Sequence, residues 1–130
     1  MTTVTSGTMR WIGLGISAAV VLVMLADAAT GLFAPHLIEP DMIKDGFQTS
    51  AMLPVSLVIL ASAIVYAVPR TAVLGAILIT GVWGGAYCTH LRMGEIASPA
   101  QLLAIGLGVA AWAGLWFRDA RLRALLPLSS

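Results

Sequence analysis

Asp27 carries the most chemical potential in this sequence, because it is a carboxylate inside an otherwise apolar run from Trp11 to Phe33. An ionisable group at the centre of a membrane helix costs roughly 2.5–3.5 kcal/mol unless it is protonated, paired or reached by water. It must therefore face a partner, and Thr30 and Gly31 lie on the same helical face. Trp83, Tyr87 and His90 share a second arc at helical spacing. Together these groups could hold a proton between Asp27 and His90. They could equally grip the polar head of a lipid-soluble ligand, with Trp83 and Tyr87 along its body. The competing assignment for Tyr87 and His90 is an interfacial polar belt that meets water and headgroups.

Several chemistries are excluded by what is absent. One cysteine, Cys88, provides no thiol–disulfide couple and no cysteine-built zinc site. The two histidines, His36 and His90, show no ligand spacing, so no metal or haem site is expected. Nucleophile elbows and phosphate-binding glycine loops are missing, and the glycines lie within apolar runs. Charged residues make up 10% of the chain and hydrophobic residues 59%, with a mean hydropathy of +0.96. That composition cannot cover a water-soluble core, which rules out a soluble enzyme, and the net charge of +1 offers no field for nucleic acid.

The elements that must position these residues are four membrane spans, each near the roughly 20 residues needed to cross a bilayer. They run at about 11–33, 47–68, 71–91 and 99–117. Pro54 and Pro99 sit where a helix start tolerates proline. Links at Pro69-Arg70 and at 92–98 are short, which forces antiparallel neighbours. The expected architecture is an all-α four-helix membrane bundle forming a single domain over 1–130. Only the segment 34–46, with Pro35, His36, Glu39, Pro40, Asp41, Lys44 and Asp45, is long enough to form a surface element of its own.

Basic residues mark the cytoplasmic side. Arg10, Arg70, Arg118, Arg121 and Arg123 collect at one end and only Lys44 and Arg92 at the other. Both termini are therefore expected in the cytoplasm, with the basic tail 118–130 beginning as a short amphipathic helix over 118–126 at the inner headgroups. Asp27 then lies in the outer half, level with Gln48, Tyr87, His90 and Gln101, so four helices each bring polar atoms to one layer. Ala26-Asp27-Ala28 has the small-x-small form of a signal-peptidase site. The apolar run before it is at or beyond the length of a signal peptide's core, so the first span is expected to be retained.

Packing has its own signature. Gly81, Gly84, Gly85 and Cys88 form a nearly side-chain-free stripe on the third span, against which a neighbour is expected to lie close. Gly106, Ala110 and Gly114 form a similar ridge on the fourth, and Gly15 and Ala19 on the first.

The run Tyr66-Ala67-Val68-Pro69-Arg70-Thr71-Ala72-Val73-Leu74-Gly75-Ala76, followed by Thr80-Gly81, Gly84-Gly85-Ala86 and Thr89-His90-Leu91-Arg92-Met93-Gly94, resembles the DoxX-like family of small membrane proteins. The resemblance covers the second to fourth spans. It implies a four-helix membrane bundle, but no defined reaction, since most members have no assigned activity. The family name comes from a subunit associated with thiosulfate:quinone oxidoreductase, and related proteins are linked to redox complexes or to the assembly of other membrane proteins. Members often carry an acidic residue in the middle of the second helix, where this sequence has Ile59 or Leu60. That departure weighs against a two-carboxylate mechanism.

The reading that follows is a non-catalytic inner-membrane module of bacterial type. It would bind a quinone or lipid through Asp27, Gln48, Trp83, Tyr87 and His90, in service of a membrane oxidoreductase. An assembly subunit for other membrane proteins is the first alternative, using the glycine stripe with Trp112 and Trp116. A proton-coupled carrier, at least a homo-oligomer, is the second. Membrane lipids are expected partners in every case.

Overall fold

A computed structural model describes residues 6–125. All regular structure among them is helical: α1 (Gly7–Phe33), α2 (Glu39–Lys44), α3 (Met52–Ala67), α4 (Ala72–Arg92), α5 (Pro99–Arg118) and α6 (Ala120–Leu125), with 3-10 turns at Pro35–Leu37, Thr49–Ala51 and Pro69–Thr71. Four segments, Gly7–Phe33, Thr49–Ala67, Pro69–Arg92 and Pro99–Arg118, are long and apolar enough to cross a membrane. The protein is an integral membrane four-helix bundle.

The first helix starts one turn before the apolar run. Ser6 accepts from the Met9 amide at 3.2 Å, so α1 begins at Gly7, four residues before Trp11. Pro99 opens α5 inside a capping box, in which Ser98 accepts from the Gln101 amide and Gln101 accepts from the Ser98 amide. That exchange explains why Gln101 is fully buried. The connection 34–46 folds as a 3-10 turn and α2. The tail helix α6 buries Leu122, while Leu126, expected in the same helix, lies outside the described residues.

The bundle is square in section. α1 packs on α3 and α5, and α4 packs on the same two helices from the other side. Each helix sends inward a row at three- and four-residue spacing: Val20, Met24 and Ala28; Ile59, Ala63 and Tyr66; Ala72, Ala76 and Ile79; Leu107, Ala111 and Leu115. Between lipid-bathed helices the driving force is close packing rather than removal of surface from water. Five of these twelve residues are alanine, as that requires.

Of the expected packing glycines only Gly114 makes such a close contact, and the others that permit this packing lie elsewhere. A Cβ on Gly13 would sit 2.7 Å from the Arg118 amide nitrogen and 2.7 Å from the Gly114 carbonyl oxygen. On Gly75 it would run into the Tyr66 backbone, on Gly31 into Ser56, and on Gly114 into Ser17. By contrast Gly15, Gly81, Gly84, Gly85 and Gly106 have no neighbour within 4 Å of such an atom. The stripe on α4 thus packs against no neighbouring helix, because α4 turns Ala72, Gly75, Ala76 and Ile79 to the core instead.

Candidate functional site

At the end of the bundle opposite the termini, a cavity of about 540 Å³ opens among α1, α3 and α4 beneath the connection that contains α2. Its walls are Val55, Val58 and Ile59 from α3 and Val82, Trp83, Gly85 and Ala86 from α4; Ile38, Met42 and Phe47 roof it. Asp27 enters from α1, six residues before the helix end at Phe33, or about 9 Å along the axis. Asp27 is half-buried and makes no hydrogen bond or ion pair with any described residue. Thr30 and Thr89, its hydroxyl-bearing neighbours at this level, turn back onto the Ala26 and Gly85 carbonyls of their own helices.

Of the residues expected to act together, the cavity collects Asp27, Trp83 and His90. Tyr87 lines a second groove instead, and Gln48 caps the turn Thr49–Ala51 at the exposed surface. The split between Tyr87 and His90 follows from helix geometry. At 3.6 residues per turn Tyr87 stands about 40° to one side of Trp83 and His90 about 20° to the other. Trp83 therefore forms part of both walls, and its indole Nε1 is buried without an acceptor among the described residues.

His90 is engaged at the rim rather than with Asp27. Its Nδ1 lies 2.8 Å from Glu95 Oε2, and its Nε2 lies 3.9 Å from Asp45 Oδ2. Glu95 follows α4 directly, while Asp45 arrives from the C-terminal cap of α2. Arg92 Nη2 donates to the Asp45 carbonyl at 3.2 Å and ties the same connection to α4. The chain passes this point through Gly46 at φ +89°, where a side chain would also crowd Arg92. The Ser98 hydroxyl, followed by the His90 imidazole and the Lys44 ammonium, holds the Glu95 carboxyl below its ordinary value against a weaker desolvation. Lys44 itself is 3.9 Å from Glu95 with its side chain 72% exposed, so the ion pair adds little. The carboxylates that meet His90 come from loops, and no periodicity announces them.

The second groove, about 710 Å³, lies on the outward side of α4 and α5. Tyr87, Trp112, Trp116 and Phe117 line it, and Gly84 and Gly108 form its floor. Trp112 Nε1 donates to Thr80 Oγ1 at 2.8 Å, which locks the two helices together at the groove's base.

Sequence reasoning gave Tyr66 no functional or structural part, yet it organises the opposite half of the bundle. It is fully buried, and its hydroxyl donates to the Ala111 carbonyl at 2.7 Å while receiving the Ser17 hydroxyl at 2.9 Å. The Arg118 guanidinium covers its ring, 5.6 Å from the centroid.

A model of the DoxX-like family matches residues 15–114. No curated protein and no solved structure matches the chain.

Proposed function

This chain belongs to the DoxX-like family, and we propose that it is a non-catalytic membrane module holding a lipid-soluble ligand, a quinone or a lipid, in the cavity around Asp27. The observation that carries this reading is Asp27 itself. A carboxyl group on a membrane helix, lining a cavity of about 540 Å³ with no partner among the described residues, needs water or a ligand's polar head beside it. The rest of the cavity supports an amphiphile: apolar walls for its body, and the unpartnered Trp83 Nε1 as a donor for an oxygen on its head. Residue roles follow from this placement. Asp27 and Trp83 contact the ligand, and His90 borders the entrance; Tyr87 and Gln48 act outside the cavity.

The proposed setting is a bacterial inner membrane with both termini in the cytoplasm. Five arginines at the terminal end against Lys44 and Arg92 at the other support that orientation. A membrane oxidoreductase is the proposed recipient of the ligand.

The test is mass spectrometry of molecules retained by the protein in native-lipid discs, comparing wild type with Asp27→Asn and Gly85→Leu. Gly85 borders the cavity and has open space where a side chain would go, so leucine there fills the cavity without a clash. A stoichiometric quinone or lipid lost from both variants supports the reading. Bulk lipid alone, unchanged by either substitution, overturns it.

The outward groove favours a second reading, an assembly subunit that seats a helix of another membrane protein. Gly84 and Gly108 line only this groove and leave room at its floor. Gly84→Leu and Gly108→Leu should then abolish co-purification of a defined partner while leaving the cavity ligand in place; a partner retained by both variants removes this reading.

A further inference from the structure

We propose that Asp45, His90 and Glu95 form a binding site for one divalent transition-metal ion of the zinc class, pinning the α2 connection to the end of α4. One donor atom from each residue lies within 4.8 Å of the other two. The three come from different places, the cap of α2, the last turn of α4 and the loop after it, so their convergence is a product of the fold.

The two contacts of the imidazole are unequal, and that inequality points to a cation. Nδ1 lies 2.8 Å from Glu95 Oε2, a good hydrogen bond that places the ring proton on Nδ1. In its neutral form the ring turns its Nε2 lone pair toward Asp45 Oδ2, 3.9 Å away. That gap is too long for a hydrogen bond and leaves two electron-rich atoms facing each other. A metal bound at about 2.0–2.2 Å to each would fill it with a small adjustment of the Asp45 side chain. Glu95 would then serve as the carboxylate that orients a metal-bound histidine through its other nitrogen.

The surroundings agree with a cation. The four acidic residues Glu39, Asp41, Asp45 and Glu95 outnumber Lys44 and Arg92 at this end. The side chains of Asp45, His90 and Glu95 are 15%, 18% and 26% exposed, enough for water to complete the coordination. Lys44 reaches Glu95 from the solvent side on an exposed stem and can swing away. One imidazole with carboxylates suits zinc or cobalt better than calcium or magnesium, which take all-oxygen shells. This runs against the sequence expectation of no metal, which considered only the two histidines.

The site stands on its own geometry and does not require a ligand in the cavity, so each reading can fail alone. The experiment uses full-length, tag-free protein, stripped with chelator and titrated with Co²⁺ followed by its visible absorption, with Zn²⁺ as competitor. One saturable, zinc-displaceable site is expected. Asp45→Asn and His90→Ala should each weaken Co²⁺ binding at least about tenfold, Glu95→Gln about 10–100-fold, and His36→Ala not at all. Asp45 lies on a surface connection, so Asp45→Asn keeps the test sound if His90→Ala fails to fold. Absence of saturable binding, or binding undiminished in Asp45→Asn, overturns the proposal.

Discussion

The Tyr66 hydroxyl on α3 reaches across the diagonal of the bundle to donate to the Ala111 carbonyl of α5, at 2.7 Å. On the way it takes the Ser17 hydroxyl of α1, and its own backbone rests against Gly75 of α4. One residue of α3 therefore touches the other three spans. Tyr66→Phe should lower unfolding stability in detergent by about 1 kcal/mol, the usual scale for a buried hydrogen bond within a membrane bundle. A double-mutant cycle with Ser17→Ala should show coupling; strictly additive losses would break the hydroxyl chain.

Gly75→Ala should be far more damaging than Gly81→Ala. The new methyl on Gly75 would press on the Tyr66 backbone nitrogen and Cα, and on its Cβ at 2.6 Å, and backbone cannot rotate aside. On Gly81 it meets nothing. Overpacking of this kind costs about 1–3 kcal/mol or more, so Gly75→Ala should express poorly and melt early while Gly81→Ala matches wild type. Equal stability of the two would show that α3 and α4 are not in this contact.

Acid should loosen the rim without unfolding the bundle. Glu95 is held below its ordinary value, about 4.3 in model peptides, by Ser98 first and then His90 and Lys44. Its contribution is complete above the unfolded-state pKa and disappears as pH falls through the lower folded-state pKa. With chelator present, the protection of amides 93–98 against hydrogen exchange, relative to the intrinsic rate at each pH, should fall below about pH 4, and Glu95→Gln should show low protection at every pH. Protection that stays constant with pH in the wild type would show that this carboxylate does not order the rim.

Labelling tests the proposed orientation. In a Cys88→Ser background, Ser50→Cys should react with a membrane-impermeant maleimide from outside intact cells. Arg121→Cys should react only after the membrane is opened. The reverse pattern would place the termini outside.

The four spans were legible because charge and proline interrupt hydropathy at Arg10, Pro35, Pro69-Arg70 and Arg92. Capping sets the helix starts: Ser6 extends α1 backward by one turn, and Ser98 fixes the start of α5 at Pro99. Asp27 stood out as a charge among apolar residues, and Trp83 and His90 by spacing. Hidden from that reasoning were the partners of His90, since Asp45 lies 45 positions away in a connection whose path depends on Gly46. Tyr66 was hidden for a different reason. A tyrosine near a span end reads as an interfacial anchor, and only the missing side chain at Gly75, across the η-turn, lets it turn inward. The same ambiguity misplaced the packing stripe, because small residues mark close approach on either face of a membrane helix.

Gly13 on α1 fits against Gly114 and Arg118 on α5, so of the four spans the one made before the others closes on the one made after them. Until residue 111 has been synthesised and inserted, Tyr66 has no Ala111 carbonyl to receive its proton and α1 has only one of its two neighbours. A chain that stops short of α5 is therefore an open half-bundle. Truncations before α5 should be degraded rather than persist as smaller stable bundles, since the square cannot close without that helix.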